Sequence, residues 1–160
     1  TLLRAIAGFI RPDAGEISIE PAGGAAIAWL GHADGLKPAE TVRSALTFWA
    51  GLHGASPDLI EPVMERMAVA HLAGRACGTL SAGQRRRTAL ARLALSNAGL
   101  WILDEPTAPL DAVSRARLAR LVADHRAAGG VVIATTHAAL DWPDQTGLDL
   151  SDAAREARSA

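Results

Sequence analysis

Two adjacent carboxylates, Asp104 and Glu105, follow a run of four apolar residues at positions 100–103. Such a run is typical of a buried strand in a parallel sheet, and α/β sheets bind their ligands at the carboxyl ends of the strands. Hydrolysis of a terminal phosphate requires a divalent cation across the phosphates and a group that orients the attacking water. We expect Asp104 to hold Mg²⁺ through water and Glu105 to orient the attacking water. The alternative is that the pair only ends the strand before Pro106.

A second polar motif, LSAGQ at residues 80–84, precedes this strand by one short helix. Ser81 and Gln84 have the spacing of a capping box, which predicts that a helix begins here. The same helix tip is also an anion site, because its backbone N–H groups are free and its dipole favours negative charge. Ala82 is small, and Gly83 lets a phosphate approach closely. The capping and the phosphate-binding interpretations both stay open.

Three arginines, Arg85, Arg86 and Arg87, continue this motif. A basic run can indicate nucleic-acid binding, but no aromatic residues are interleaved with it. The chain carries 16 Lys+Arg against 17 Asp+Glu, a net charge of -1, so no overall field attracts a polyanion. We interpret the triplet as a solvated helix face that also keeps a nearby phosphate field positive, and we expect no nucleic-acid partner.

Two further polar residues follow predicted elements in the second half of the chain. His137 comes two residues after the predicted strand 131–135, at the edge where ligands bind. Asp111 precedes the predicted helix 113–127, where a carboxylate is an ordinary N-cap. A lone histidine is also commonly structural or exposed. No i,i+3 or i,i+4 pairing predicts a zinc site among the remaining histidines, His32, His53, His71 and His125.

The composition indicates one globular domain. The chain has 160 residues, of which 49% are hydrophobic. Its single cysteine, Cys77, cannot form an internal disulfide, and we interpret it as a small apolar filler. No run approaches the ~18 apolar residues of a membrane-spanning helix, and the first residues lack the layout of a signal peptide.

Hydrophobic periodicity predicts α/β architecture with parallel strands, because strands alternate with helices in both halves of the chain. The helices are expected at 1–8, 42–52 with Thr41 as N-cap, 57–69, 81–96 and 113–127; the strands are expected at 16–20, 25–30, 100–103 and 131–135. The section between the two groups of strands is helical. We therefore expect one domain over 1–160, with a core formed by 1–31 and 98–150, a helical subdomain at 32–97 and a frayed tail at 151–160.

The two motifs, in this order, resemble the ATP-binding subunits of ABC (ATP-binding cassette) transporters. The LSAGQ segment matches the family's signature motif, Asp111 the acid of its D-loop, and His137 its switch histidine, which senses the γ-phosphate. The resemblance implies a P-loop NTPase-type fold, ATP and Mg²⁺ as ligands, and a dimer with a second ATPase subunit. In that dimer, residues Ser81 to Gln84 contact the γ-phosphate of ATP bound to the opposite subunit.

The sequence departs from the family pattern at two places. The phosphate-binding loop, G-x-x-x-x-G-K-S/T, is absent from the numbered residues, although residues 1–4 resemble the helix that follows it. We expect an N-terminally truncated fragment that binds ATP poorly by itself. At the Q-loop, Ala33 occupies the position of the usual glutamine, and alanine cannot coordinate a ligand. Asp34 is a candidate substitute that would act through water.

Within the family, residues 29–37, Thr41 and residues 48–54 are similar to the haem-exporter ATP-binding subunits of cytochrome c maturation. This resemblance implies a peripheral subunit on the cytoplasmic face of the bacterial inner membrane, with integral membrane subunits as partners. ATP hydrolysis would power haem export or handling, and no haem ligand is expected in this chain. The alternatives are the ATPase of another ABC transporter, a soluble ABC ATPase and an inactive remnant.

Overall fold

The computed structural model describes residues 1–19, 26–137, 140 and 142–150. The described residues form one three-stranded parallel sheet in the order β1 (Ile27–Leu30), β2 (Leu100–Asp104) and β3 (Val131–Thr135). Leu30 lies beside Leu103, and Asp104 lies beside Thr135. All three strands therefore end at the same edge of the sheet, and the predicted α/β class is confirmed.

The central strand β2 is buried on both faces. Trp101 and Leu103 pack into the main hydrophobic cluster, whereas Leu100 and Ile102 pack with Leu3 in a smaller cluster on the other face. A strand covered on both sides needs apolar residues at every position, which explains the run without alternation. Its polar end, Asp104, is half-buried at the edge.

The N-terminal helix α1 (Leu2–Ile6) contributes to the smaller cluster and ends before Gly8, whose φ is +77°. A positive φ suits glycine because it has no Cβ, so the predicted helix stop is confirmed. Leu3 is the buried residue of this helix, with 5% of it exposed, whereas 41% of Leu2 is exposed.

The predicted strand at 16–20 is wrong for the residues that the structure describes, since 16–19 form no strand. Ile17 and Ile19 are each 39% exposed. Alternating apolar residues form a strand only when a neighbouring strand pairs with the backbone and a core covers the apolar face. Residues 20 and 25, which the two predicted strands 16–20 and 25–30 also include, lie outside the described residues.

The helical section begins with α2 (Val42–His53), as predicted. The Thr41 hydroxyl accepts a hydrogen bond from the backbone N–H of Ser44 at 3.2 Å, and Gly54 ends the helix with φ +67°. This N-cap satisfies one of the free N–H groups of the first turn. The apolar face of α2 joins the main cluster.

The helix predicted from Pro57 to about residue 69 begins with a 3₁₀ turn and ends earlier, at Arg66. A 3₁₀ turn (Pro57–Leu59) leads into α3 (Ile60–Arg66), and a second 3₁₀ turn (Ala70–Leu72) follows. Ala68 adopts φ +53°, a left-handed conformation that ends a helix. The backbone therefore stops α3 earlier than the apolar pattern predicts.

A third 3₁₀ turn (Cys77–Thr79) precedes α4 (Ala82–Ala94), and the last helix is α5 (Ala112–Ala127). Cys77 is 1% exposed, and burial raises the pKa of its thiol. This burial agrees with its interpretation as an apolar filler. The division into a core at 1–31 and 98–150 and a helical subdomain at 32–97 stays a prediction, and the tail at 151–160 lies outside the described residues.

An aromatic pair joins α5 to the central strand. The rings of Trp101 and His125 stack with their centroids 3.8 Å apart and their planes 4° from parallel. Within the described residues, the buried Trp101 Nε1 and His125 Nε2 have no hydrogen-bond partner. Burial lowers the pKa of His125 from its ordinary value, so the neutral imidazole is favoured in the folded protein.

In the part of the chain that the structure describes, no helix combines the length and apolar character needed to cross a membrane.

Candidate functional site

The carboxylate of Asp104 is fixed at the end of the sheet by its neighbour in β3. Its Oδ1 accepts a hydrogen bond from the Thr135 hydroxyl at 2.7 Å. The two residues are direct partners in the strand register, so the contact follows from the alignment of β2 and β3. Asp104 therefore presents a half-buried carboxylate in a defined orientation at the ligand edge.

The backbone of Glu105 is held in a conformation that a side chain rarely adopts. Its φ is +46°, and a non-glycine residue in this region costs about 1–3 kcal/mol. The Glu105 N–H donates to the Thr135 carbonyl at 3.1 Å, and the Glu105 carbonyl accepts from Arg86 at 2.8 Å. These contacts hold the turn that directs the chain out of β2.

The structure brings His137 to Glu105. His137 Nε2 lies 3.5 Å from Glu105 Oε1, and the side chains are 98% and 27% exposed. An exposed pair of this kind contributes little to stability, so its significance lies in its position. A carboxylate and an imidazole at the ends of neighbouring strands can together orient a water molecule or a phosphate oxygen.

Arg86 lies beneath this edge, and the expectation that it belongs to a solvated helix face is wrong. Its side chain is 3% exposed. The guanidinium donates to five oxygens: Gly31 O at 2.8 Å, Asp34 Oδ1 at 3.2 Å, Asp104 O at 2.7 Å, Glu105 O at 2.8 Å and Pro106 O at 3.3 Å. These oxygens use all five N–H groups of the side chain. The residue thus bridges the chain segments that leave β1 and β2.

The two neighbouring arginines point to other parts of the chain. Arg85 donates to the Leu80 carbonyl at 3.0 Å, and Arg87 donates to the Ala68 carbonyl at 3.0 Å. Both are part-buried, so the solvated-face interpretation is wrong for them as well. Successive helix residues point in different directions, and the carbonyls that receive each arginine belong to different segments.

The capping box predicted at the start of α4 is present. Gln84 N–H donates to the Ser81 hydroxyl at 3.3 Å, and Ser81 N–H donates to Gln84 Oε1 at 3.0 Å. Ser81 and Ala82 are exposed. A Cβ on Gly83 would lie 3.1 Å from the Pro109 carbonyl, so glycine here also permits close packing of residues 107–111. The phosphate-binding role of this segment stays a prediction.

Asp111 is the N-cap of α5, as predicted from its position before the helix. Its Oδ1 accepts a hydrogen bond from the Ser114 backbone N–H at 2.8 Å. Hydrogen bonds from Ser114, first from its side chain and then from its backbone, hold the pKa of Asp111 below the ordinary value. Asp111 is exposed, so the capping contact leaves one side of the residue open to a second molecule.

The loop after β1 differs from what the sequence predicts for Asp34. Ala33, at the expected Q-loop position, is exposed and has no polar side-chain atom. Asp34 is paired with buried Arg86 at 3.2 Å, and its own side chain is 19% exposed. A carboxylate engaged in this way supports the protein interior and is a poor substitute for a free glutamine.

The donor set at the edge suits Mg²⁺, which prefers oxygen ligands and is commonly held by one or two carboxylates together with substrate phosphates and water. The Asp104 carboxylate, whose Oδ1 accepts a hydrogen bond from the Thr135 hydroxyl, provides such oxygens at the edge of the sheet. The described residues contain no group of three or more His, Cys, Asp or Glu side chains that could hold a metal alone. A carboxylate at this edge fits a cation that shares its coordination with substrate phosphates and water.

A family model described as "ABC transporter" matches residues 1–108, which is more than half of the chain. The fold is similar to that of a Pyrococcus furiosus protein assigned as an ABC transporter ATP-binding protein, with TM-score 0.73 and 27% identity over 89% of this chain and 74% of that one. The chain belongs to the ABC transporter family, whose nucleotide-binding domains have the P-loop NTPase fold.

The relatives narrow the assignment within the family. The Maricaulis maris (strain MCS10) cytochrome c biogenesis ATP-binding export protein CcmA is 54% identical over 155 residues, which cover 94% of this chain and 72% of the relative. The protein of the same name from Rhodobacter capsulatus is 46% identical over 151 residues, which cover 94% of this chain and 68% of that relative. The predicted resemblance to this branch of ABC ATP-binding subunits is confirmed.

The sequence predicted that Asp104, Glu105 and His137 lie at one edge of the sheet, and the structure places Glu105 beside His137. The sequence did not predict that Arg86 contacts this edge. The signal for Arg86 was not local. Its acceptors lie between 18 and 55 residues away along the chain, and only the paired ends of β1 and β2 bring them together.

Proposed function

We propose that this chain forms the ATP-hydrolysing part of an ABC exporter that serves the biogenesis of c-type cytochromes. The observation that carries the proposal is the Asp104–Glu105 pair at the end of β2, with His137 Nε2 at 3.5 Å from the Glu105 carboxylate. The relatives' name, cytochrome c biogenesis ATP-binding export protein, supports the transport role.

In the proposed mechanism, Glu105 orients a water molecule and accepts its proton as the water attacks the terminal phosphate of ATP. His137, whose Nε2 lies 3.5 Å from Glu105 Oε1, offers an imidazole N–H to a phosphate oxygen. Asp104, held by Thr135, would bind Mg²⁺ through water. The cation neutralises charge on the phosphates when it is bound.

The proposal includes a second ATPase subunit. Ser81 to Gln84 of one subunit would bind the phosphate on the other, because Ser81 and Ala82 at the tip of α4 are exposed and the N-terminus of a helix favours an anion. Asp111 would lie at the same subunit interface. Integral membrane subunits of the exporter would hold the dimer at the cytoplasmic face of the bacterial inner membrane, and haem export or handling would be the work performed. No role for nucleic acid is included.

The proposal is tested by Glu105→Gln in the gene product as the cell makes it. Loss of a positioned general base costs roughly 10²–10⁴ in rate, so ATP turnover should fall by that factor while ATP binding persists. Haem attachment to c-type cytochromes should fail in cells that carry this variant. The matched control is Glu65→Gln, because Glu65 is an exposed residue of α3 that lies outside the proposed site.

Unchanged ATP turnover in Glu105→Gln would refute the catalytic role of Glu105. Lost turnover with normal haem attachment would refute the export role and leave the ATPase assignment intact.

A further inference from the structure

Arg86 carries a buried positive charge that the mechanism above does not use. The guanidinium is 3% exposed, and its one ion-pair partner among the described residues is Asp34. A buried cation is costly unless it is paired and all its N–H groups are bonded. Both conditions hold here, because four backbone carbonyls and the Asp34 carboxylate accept its five N–H groups.

The four carbonyls all lie where strands end. Gly31 follows β1, and Asp104, Glu105 and Pro106 form the exit from β2. Arg86 therefore fixes the two chain exits relative to each other and relative to α4. The shortest of these contacts are 2.7 Å to Asp104 O and 2.8 Å to Glu105 O and to Gly31 O.

Glu105 is the residue on which this contact has the largest effect. Its backbone has φ +46° and is held on one side by Thr135 and on the other by Arg86. A left-handed conformation at a residue with a side chain persists only when the surroundings hold it. Without Arg86, the exit from β2 would lose three contacts that direct the turn, those to the carbonyls of Asp104, Glu105 and Pro106.

Asp34 in turn determines where the guanidinium lies. It is the carboxylate that neutralises Arg86, and it lies close enough to influence the neighbouring Arg92 as well. Arg92 donates to the Trp29 carbonyl at 3.1 Å and lies over the Trp49 ring at 4.5 Å. Asp34 is thus the carboxylate that acts on two basic side chains of α4, Arg86 and Arg92, and it joins the loop after β1 to that helix.

We propose that Arg86, anchored by Asp34, is a positioning residue that holds the Glu105 backbone so that its carboxylate faces the reacting phosphate. Asp34 does not replace the missing Q-loop glutamine as a ligand; it links the loop after β1 to the catalytic carboxylate through the buried guanidinium. This inference rests on the proposed role of Glu105, because it assigns Arg86 an effect only through that residue.

The first test compares Arg86→Met, Arg86→Lys and Arg87→Met in the full gene product. A misplaced catalytic group costs roughly 10²-fold in rate, so kcat for ATP should fall by about this factor in Arg86→Met, with KM changed far less. Lysine keeps the charge and some N–H donors, so Arg86→Lys should recover part of the loss. Arg87→Met is the control, because the hydrogen bonds of the Arg87 guanidinium go to the Met67 and Ala68 carbonyls and not to the exit from β2.

A second readout does not depend on turnover. Amide hydrogen exchange in the peptide 103–107 should be faster in nucleotide-free Arg86→Met than in wild type, while Arg87→Met leaves that peptide unchanged. A purely structural role for Arg86 would instead raise exchange throughout the chain. Unchanged exchange at 103–107 would overturn the proposal.

The Asp34 part is tested by Asp34→Asn and by the double variant. Asp34→Asn should lower kcat by about tenfold, and combining it with Arg86→Met should cost no more than Arg86→Met alone, because contacting residues are not additive. If Arg86→Met fails to fold, Asp34→Asn and Arg86→Lys carry the test, and normal kcat in both would overturn the proposal.

Glu105→Gln in the same assay separates the two proposals. Turnover retained in Glu105→Gln would refute the proposed function. Turnover lost in Glu105→Gln but retained in Arg86→Met would refute only the positioning role, and losses in both variants with KM nearly constant are the expected result.

Discussion

Glu105 uses its backbone for structure and keeps its carboxylate for chemistry. The N–H and carbonyl bond to Thr135 and Arg86, whereas the side chain extends to exposed His137. Substitution of the carboxylate by an amide therefore leaves the turn intact. The separation makes Glu105→Gln a direct test of the chemistry, because the contacts that hold the exit from β2 involve the backbone of Glu105.

At the same scale, His125 makes stability depend on pH. Burial lowers the pKa of His125 below 6.5, so the folded protein binds fewer protons than the unfolded chain as the pH falls through that value. The free energy of unfolding should therefore decrease on acidification below about pH 6.5, until the lowered folded-state pKa is reached. In His125→Phe, which retains a ring beside Trp101, this part of the pH dependence should vanish.

The measurement is urea unfolding of both proteins between about pH 7 and about pH 5.5. His71→Phe is the control, because His71 is exposed and should leave the pH dependence as in wild type. Equal losses of stability in wild type and His125→Phe over this range would show that His125 is not responsible.

At the scale of elements, the start of α4 combines a structural cap with the proposed phosphate site. Ser81 and Gln84 bond each other's backbone N–H groups, so the helix start is stable without any ligand. A loss of activity on removing Ser81 would therefore be ambiguous, since it could follow from the lost cap. The two roles can be separated only by substitutions that keep the cap.

Ser81→Asp and Ser81→Asn make this separation. Aspartate and asparagine cap helices about as well as serine, so both variants should unfold at nearly the wild-type urea concentration. Aspartate adds a negative charge that repels a phosphate, and Ser81→Asp should lower ATP turnover by roughly tenfold or more relative to Ser81→Asn, as expected for a charge-assisted contact. The comparison is made in the full gene product. Equal turnover in the two variants would rule out a phosphate contact at the Ser81 side chain.

Most elements were predictable because their signals are local. Thr41 and Gly54 delimit α2, Ser81 and Gln84 start α4, and the unbroken apolar run produces β2. The incorrect predictions concern segments whose structure depends on more than the local apolar pattern. The 16–19 segment lacks a paired neighbour among the described residues, and the helix expected from Pro57 to about residue 69 ends at Arg66, before the left-handed Ala68.

At the scale of the whole molecule, the site is assembled from segments far apart in sequence. The loop 31–34, the start of α4, the exit from β2 and His137 meet because three parallel strands end at one edge. The carboxylates and His137 could be predicted from their positions after strands. The contacts of Arg86 could not, because its sequence neighbours say nothing about the carbonyls that receive it.

The proposed mechanism requires two copies. In the full gene product carrying Glu105→Gln, ATP should convert monomers into dimers, since binding persists while hydrolysis is blocked. Light scattering with and without ATP and Mg²⁺ measures the mass. Ser81→Asp combined with Glu105→Gln should stay monomeric at the same concentrations. A Glu105→Gln protein that remains monomeric at saturating ATP would contradict the shared site.

A Cβ on Gly83 would lie 3.1 Å from the Pro109 carbonyl. This close packing limits what a glycine at the same position in a related sequence says about function. A larger residue would require the Pro109 carbonyl of the same subunit to shift by a few tenths of an ångström, whether or not a nucleotide ever binds. Packing alone therefore favours glycine at this position, even in a chain without enzymatic activity. A glycine retained at this position is therefore weak evidence that a related protein is an active ATPase.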